Sequence, residues 1–201
     1  MLKHPALKKL YLIVILLALL SVFTAGASMT FRKLRQADAS SPKTREINDI
    51  RQILRDTQIR DQDPERLTKA IARTGELKAT EAVDDLVRLI TFERKFEWER
   101  NDYINEIRLI TVGDRYPATG ALIQIGKPSL PAISKVIQTH ETGSLESKNA
   151  IFVVQTIFRD SPAQGISYLK ESASNTSDPE ESKRLLTAAE LLNKIPKSKI
   201  P

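Results

Sequence analysis

The stretch Ala121–Ile137, ALIQIGKPSLPAISKVI, decides the fold because it places one glycine and two prolines between two apolar runs. Apolar residues recur at spacings of three and four on both sides, which predicts two helices. Gly126 can take the left-handed conformation that ends the first helix. Pro128 and Pro131 fall in or near the first turn of the second helix, where a missing N–H costs little. The stretch therefore predicts a corner between two packed helices.

The letters GKPS in this corner also resemble part of a phosphate-binding loop. Such a loop has the pattern Gly-x-x-x-x-Gly-Lys-Ser/Thr, so that consecutive backbone N–H groups hold phosphate oxygens. Here Pro128 stands between the lysine and the serine and removes one of those donors. Ala121 occupies the position of the first glycine, and the preceding segment has the periodicity of a helix rather than of a strand. The residues thus favour packing over nucleotide chemistry.

Two other segments share the pattern of this corner. The segment Ala70–Ile90 aligns with it, with Gly75 matching Gly126 at an offset of 51. Beyond the turn, at an offset of 50, the matching residues are Ala82, Val83, Leu86 and Val87 with Ala132, Ile133, Val136 and Ile137. In a third copy, Phe158, Ile166 and Leu169 correspond to Ile125, Ile133 and Val136. One helix–turn–helix unit every 30 to 50 residues or so is typical of an α-solenoid.

The motif apolar-Gly-x-Pro-x-apolar-Pro-Ala-apolar, which spans residues 125–133, resembles the corner of a HEAT or HEAT-like repeat. The resemblance covers residues 116–137, 67–90 and, more weakly, 147–170. The first copy departs from it, with Lys78 and Glu81 at the proline positions, and the third has Arg159 in place of the glycine. The resemblance implies an all-α fold, a short α-solenoid of helical hairpins, and action by protein binding. It does not imply one particular activity.

The N-terminal segment, residues 1–27, has the pattern of a signal peptide. Three lysines precede an apolar run from Leu10 to Phe23, and Ala25 and Ala27 are the small residues that a signal peptidase reads. Cleavage after Ala27 would export the chain to the periplasm or the medium of a bacterial cell. The alternative is an uncleaved anchor over residues 10–27 in the inner membrane, since 18 residues are near the lower limit for a span.

The remaining chain divides into a flexible leader, a helical domain and a tail. We expect the leader over residues 28–40, the HEAT-like domain over 41–195 with an insertion at 92–113, and the tail over 196–201. Four acceptor–proline pairs predict helix starts, namely Ser41-Pro42, Asp63-Pro64, Ser161-Pro162 and Asp178-Pro179. Glu181 would complete a capping box with Asp178. The helices near residues 47–54 and 185–192 are predicted to cap the array.

Charge and cysteine usage narrow the function classes. The formal net charge is +6, and the three lysines of the N-terminal segment supply half of it. Acids and bases are mixed along the rest, which is typical of a solvated surface and argues against nucleic-acid binding. The chain has no cysteine, so cysteine-based zinc sites, Cys–His nucleophiles and a lipoprotein anchor are excluded.

Residues that could carry chemistry have simpler structural interpretations. His140, the only histidine after the N-terminal segment, stands where a helix is expected to end and would favour the helix dipole there. Asp84 and Asp85, like the acids of the insertion, are interpreted as members of ordinary surface pairs with nearby basic residues. The aromatic residues of the insertion would anchor an extended helix or form part of a partner site. The sequence predicts no catalytic, cofactor-binding or metal-binding residue.

These observations predict an exported binding or scaffold module without a chemical step. Polar positions on the second helix of each unit, such as Arg88, Lys135 and Gln138, are the expected contact positions for a protein partner. Two alternatives remain open. One is an envelope enzyme or the accessory subunit of one, because some HEAT-like proteins resemble lyases that attach chromophores. The other is an adaptor tethered to the membrane through the N-terminal segment.

Overall fold

A computed structural model describes residues 41–95 and 111–194, and this part of the chain is all-helical, with no strand. The predicted signal peptide with Ala25 and Ala27, the predicted leader and tail, and most of the predicted insertion lie outside the described residues. The chain divides into two compact units, residues 1–46 and 47–201. Of the first unit, only residues 41–46 are described, at the start of the first helix.

Ten α-helices and two 3-10 turns make up the described ranges. The α-helices are α1 (Pro42–Arg55), α2 (Thr57–Gln62), α3 (Pro64–Glu76), α4 (Val83–Val87), α5 (Val112–Arg115), α6 (Pro117–Ile125), α7 (Leu130–Thr139), α8 (Leu145–Ile157), α9 (Pro162–Ser174) and α10 (Pro179–Lys194). The 3-10 turns, Thr80–Ala82 and Lys127–Ser129, lead directly into α4 and α7. Within these ranges, no helix combines the length and the apolar character that crossing a membrane requires.

Side chains that cap the helices explain most of the helix starts. The side chain of Asp63 accepts a hydrogen bond from the backbone N–H of Arg66, and Asp178 does the same for two N–H groups of α10, as predicted. Ser161, by contrast, makes no capping hydrogen bond to α9. The predicted capping box of α10 is only half formed, because the Glu181 carboxylate accepts a hydrogen bond from the Thr176 hydroxyl instead.

In the corner after α6, Gly126 ends the helix with a positive φ, as predicted, but its ψ lies outside the left-handed helical conformation. Gly126 has a φ of 80° and a ψ of −145°, a combination that only glycine adopts readily. Pro128 lies in the 3-10 turn and Pro131 in the first turn of α7, so neither proline removes a helical hydrogen bond. The hydroxyl of Ser129, fully buried, donates to the carbonyl oxygens of Leu122 and Gly126. The residues of GKPS thus close the turn.

The corner after α3 corrects the predicted equivalence of Gly75 and Gly126. Gly75 lies inside α3 and is buried, and the residue with a positive φ is Lys78, at 49°. A Cβ at Gly75 would stand 2.4 Å from Oε1 of Gln124 and 3.0 Å from Cα of Ala121. Gly75 therefore allows α3 and α6 to approach closely, because there is no room for a side chain between the two helices at this position.

The helices from residue 47 onward share one hydrophobic core. The most extensive backbone contacts join α9 with α10, α3 with α6, α7 with α8, and α10 with α7. Helices α4 and α7 also pack against each other, and α6 packs against α8. Fully buried leucine and isoleucine side chains fill the core, including Leu67, Ile71, Leu86, Leu122, Ile133, Ile137, Leu169 and Leu185. As predicted, Ile47, Ile50 and Leu54 of α1 are also buried.

Candidate functional site

The side chain of Asp85 is the most unusual charged group in the described part of the chain. It belongs to α4 and only 1% of it is exposed, yet both carboxylate oxygens are used. Nε of Arg51 donates to Oδ2 at 2.9 Å, and Nε of Arg55 donates to Oδ1 at 2.7 Å. Because both arginines belong to α1, these two bonds tie α1 to α4.

The two arginines keep Asp85 ionised. Burial alone would raise the pKa of Asp85, but the hydrogen bonds and positive charges of Arg55 and Arg51 outweigh it, so this pKa lies below its ordinary value of 3.8. The prediction that Asp84 and Asp85 form ordinary surface pairs with neighbouring bases is therefore wrong for Asp85. Its partners lie 34 and 30 residues away in sequence. Asp84 is exposed, so the two adjacent acids of α4 have different surroundings.

Four cations lie on helices that contact each other in series. Arg51 and Arg55 project from α1, Arg88 directly follows α4, and Lys135 belongs to α7. Helix α1 is tied to α4 through Asp85, and α4 packs against α7. We call this set, Arg51, Arg55, Arg88 and Lys135, the basic strip.

The members of the basic strip are accessible to solvent. The side chains of Arg51 and Arg55 are 29% and 52% exposed, while Arg88 and Lys135 belong to the exposed class. Lys135 is the only charged residue of α7. In the described ranges, Arg88 and Lys135 make no ion pair, and Arg51 and Arg55 bind only Asp85. The basic strip thus has positive charge with which it can bind an external anion.

Gln138, the third predicted contact position, is partly covered. A terminal nitrogen of Arg184 in α10 donates to its carbonyl oxygen at 2.6 Å, and α10 packs against α7. Helix α10 is therefore more than an end cap, because it occupies one side of the helix that carries Lys135. The predicted contact positions come together only in part: Arg88 and Lys135 lie on adjacent helices, whereas Gln138 lies under α10.

His140 lies at the end of α7, as predicted. Its Nδ1 atom is 3.0 Å from the carbonyl oxygen of Val136 and 3.0 Å from the hydroxyl oxygen of Thr139. These contacts hold the ring against the last turn of the helix. No group of three or more His, Asp or Glu side chains in the described ranges is arranged to hold a metal ion.

The structure also places a residue that sequence reasoning missed. Asn149 of α8 is buried, and its side-chain amide donates to the carbonyl oxygen of Ile90 at 2.8 Å. This bond connects the start of α8 with the turn after α4, and the two residues are 59 positions apart. The only signal of this buried bond in the sequence was the polar residue Asn149 at the start of an uncharged run that ends at Phe158.

Comparisons with known proteins give no family for the chain. No family model, no curated protein and no solved structure matches it.

Proposed function

We propose that the chain is a protein-binding or scaffold module built from HEAT-like helical repeats, and that it acts without a chemical step. The observation that carries this proposal is the series of contacts between corresponding helices. The first helices of successive units, α3, α6 and α8, contact one another in that order, as do the second helices α4 and α7. Serial contact between equivalent helices is how helical repeats build an extended surface.

Positional equivalence within the units supports the same proposal. Ile125 ends α6 and Phe158 follows the end of α8, and both are buried at a turn. Nζ of Lys127 lies 5.8 Å from the centre of the Phe158 ring, so the second turn stacks on the third. Contacts between turns of successive units are expected in an α-solenoid, because each unit repeats the position of the one before it.

The third unit limits the length of the array. Helix α9 packs mainly against α10, and α10 reaches back to α7. In a regular array, α10 would contact only the unit before it, α8 and α9, whereas here it also contacts α7. We propose that α10 closes the array, and that partners bind on the side of α1, α4 and α7. The expected location is the bacterial cell envelope, with the N-terminal segment either removed after Ala27 or kept as an anchor.

A photo-crosslinking experiment tests the protein-binding function. A photoreactive residue is placed at position 88 or 135 of the full chain, and at positions 66 and 148 as controls on exposed residues of α3 and α8. After irradiation of intact cells, we expect one discrete adduct from positions 88 and 135 and none from the controls. Equal adducts from all four positions, or none at all, would contradict the proposal.

A separate measurement tests the export. N-terminal sequencing of the chain recovered from cells should give a start at Ser28 if the signal peptide is removed. A start at Met1 in the membrane fraction would support the tethered adaptor instead. Recovery of the intact chain from the soluble cytoplasmic fraction would contradict both forms of the proposal.

A further inference from the structure

We infer that the basic strip binds an acidic, extended segment of a protein partner, in which carboxylates recur about every third residue. This inference rests on the proposed protein-binding function and adds the chemistry of the ligand. Three features of the described residues support it: the balance of charge, the fixed orientation of two guanidinium groups, and the spacing of the helices.

The balance of charge on α1, α4 and α7 favours an anionic ligand. The four cations of the basic strip face two carboxylates of α4, Asp84 and Asp85. Asp85 is buried and already bonded to two of the cations, so only Asp84 is accessible. Helix α1 also carries two acids, Glu46 and Asp49, and two further bases, Lys43 and Arg45. Helix α10, which packs against α7, carries three acids and three bases, namely Glu180, Glu181, Glu190, Lys183, Arg184 and Lys194. These charges balance within each helix, so the excess positive charge of these helices comes from the basic strip.

Asp85 gives the two arginines of α1 a fixed orientation. Each guanidinium group uses Nε to bind the buried carboxylate, and neither group makes another bond within the described ranges. The terminal nitrogens of Arg51 and Arg55 remain for a ligand, and they can bind a carboxylate with two parallel hydrogen bonds. Because these side chains are already ordered, they lose less conformational entropy when a ligand binds to them.

The spacing of the helices determines the shape of the ligand. Axes of packed helices lie about 8–10 Å apart, and α4, which Arg88 follows, packs against α7, which carries Lys135. An extended chain advances about 3.3 Å per residue, and three residues therefore span one helix spacing. A segment that crosses from α4 to α7 would place a carboxylate at each helix if every third residue were acidic, and Arg51 and Arg55, bonded to α4 through Asp85, would bind a further carboxylate. The exposed Asp84 disfavours a continuous phosphate backbone on the same path.

The test uses the full chain in a nonionic detergent and two fluorescent decapeptides. The acidic peptide has glutamate at every third position and serine elsewhere, and the control peptide has glutamine in place of glutamate. We expect saturable binding of the acidic peptide at low salt and at least tenfold weaker binding in 0.5 M salt, because salt screens exposed charges. The control peptide should not bind.

Matched variants locate the peptide. The double variant Arg88→Glu and Lys135→Glu should weaken binding of the acidic peptide at least tenfold. The double variant Arg66→Glu and Lys148→Glu makes the same change in net charge on α3 and α8, and it should change the affinity less than twofold. Circular dichroism melts of both variants confirm folding. Equal weakening by the two variants would overturn the inference, because net charge alone would then explain the binding.

Two further outcomes separate this inference from the proposed function. If position 88 crosslinks to a protein in cells but the acidic peptide does not bind, the protein-binding function stands and the acidic chemistry is wrong. If duplex DNA or anionic lipid vesicles bind with the same dependence on Arg88 and Lys135, and bind more tightly than the peptide, the ligand class is wrong.

Discussion

The chain turns after α3 with Lys78 at a φ of 49°, and after α6 with Gly126 at a φ of 80°. The first turn leads to the helix of Asp85, a buried acid, and the second leads to the helix of Lys135, an exposed base that aligns with Asp85 at the offset of 50. The related sequences of these two helix pairs therefore meet different surroundings. Helix α1 covers the first pair at this position, and the arginines of α1 require an acid there. The second pair presents a base to solvent.

The largest expected effect concerns Gly75, in the helix that precedes the first of these turns. Gly75→Val should destabilise the protein by about 3 kcal/mol, because a branched side chain would press on the backbone of Ala121. Ala72→Val, an exposed change on the same helix, should cost only about 0.5 kcal/mol through helix propensity. Chemical denaturation measures both. Equal costs would mean that α3 and α6 do not approach closely at Gly75.

The buried acid gives the next largest effect. Asp85→Asn should cost about 2 kcal/mol, because it weakens two charge-assisted hydrogen bonds while the partly exposed arginines regain water. Asp84→Asn, the adjacent exposed acid, should change the free energy of unfolding by less than about 0.5 kcal/mol. Chemical denaturation curves of the two variants measure the two changes in the free energy of unfolding. A similar loss from both variants would show that Asp85 has no special role in holding α1.

The pH dependence of stability provides a second test of Asp85. The pKa of Asp85 is lowered in the folded state, so its contribution is fully present above the unfolded value and is lost as pH falls through the folded value. The wild-type chain should therefore lose stability below about pH 4 more steeply than Asp85→Asn. Thermal melts between pH 2.5 and pH 7 measure the difference. Parallel curves for the two proteins would contradict the ion pairs with Arg51 and Arg55.

Substitutions at the positive-φ residues of the two turns should have different effects on the free energy of unfolding. Gly126→Ala should cost about 1.5 kcal/mol, because a residue with a Cβ is strained at this φ and ψ. Lys78→Gly should be close to neutral or stabilising by about 0.5 kcal/mol, since it relieves the positive φ but adds backbone entropy to the unfolded chain. Chemical denaturation compares them. If Lys78→Gly is as harmful as Gly126→Ala, the lysine side chain has a packing role that its exposure does not indicate.

The local pattern of the sequence predicted the helices and the turn at Gly126, because helix periodicity, caps and glycine conformation depend on neighbouring residues. It failed where the outcome depends on residues far away in sequence. The close approach at Gly75 requires Ala121 and Gln124, and the burial of Asp85 requires Arg51 and Arg55. The partial covering of Gln138 likewise depends on α10. Arg88 and Lys135 were predicted as contact positions, but the attachment of Arg51 and Arg55 to the helix before Arg88, through Asp85, was not.

Lysine labelling in intact cells tests the proposed binding face most directly. A lysine-reactive reagent that enters the cell envelope is applied to cells and to the purified full chain, and mass spectrometry measures the modification of Lys135 and of Lys148. Both lysines are exposed in the structure. We expect Lys135 to react at least fivefold more slowly in cells than in the purified chain, with Lys148 unchanged. Equal reactivity of Lys135 in both preparations would contradict the assignment of the α1, α4 and α7 side as the binding surface.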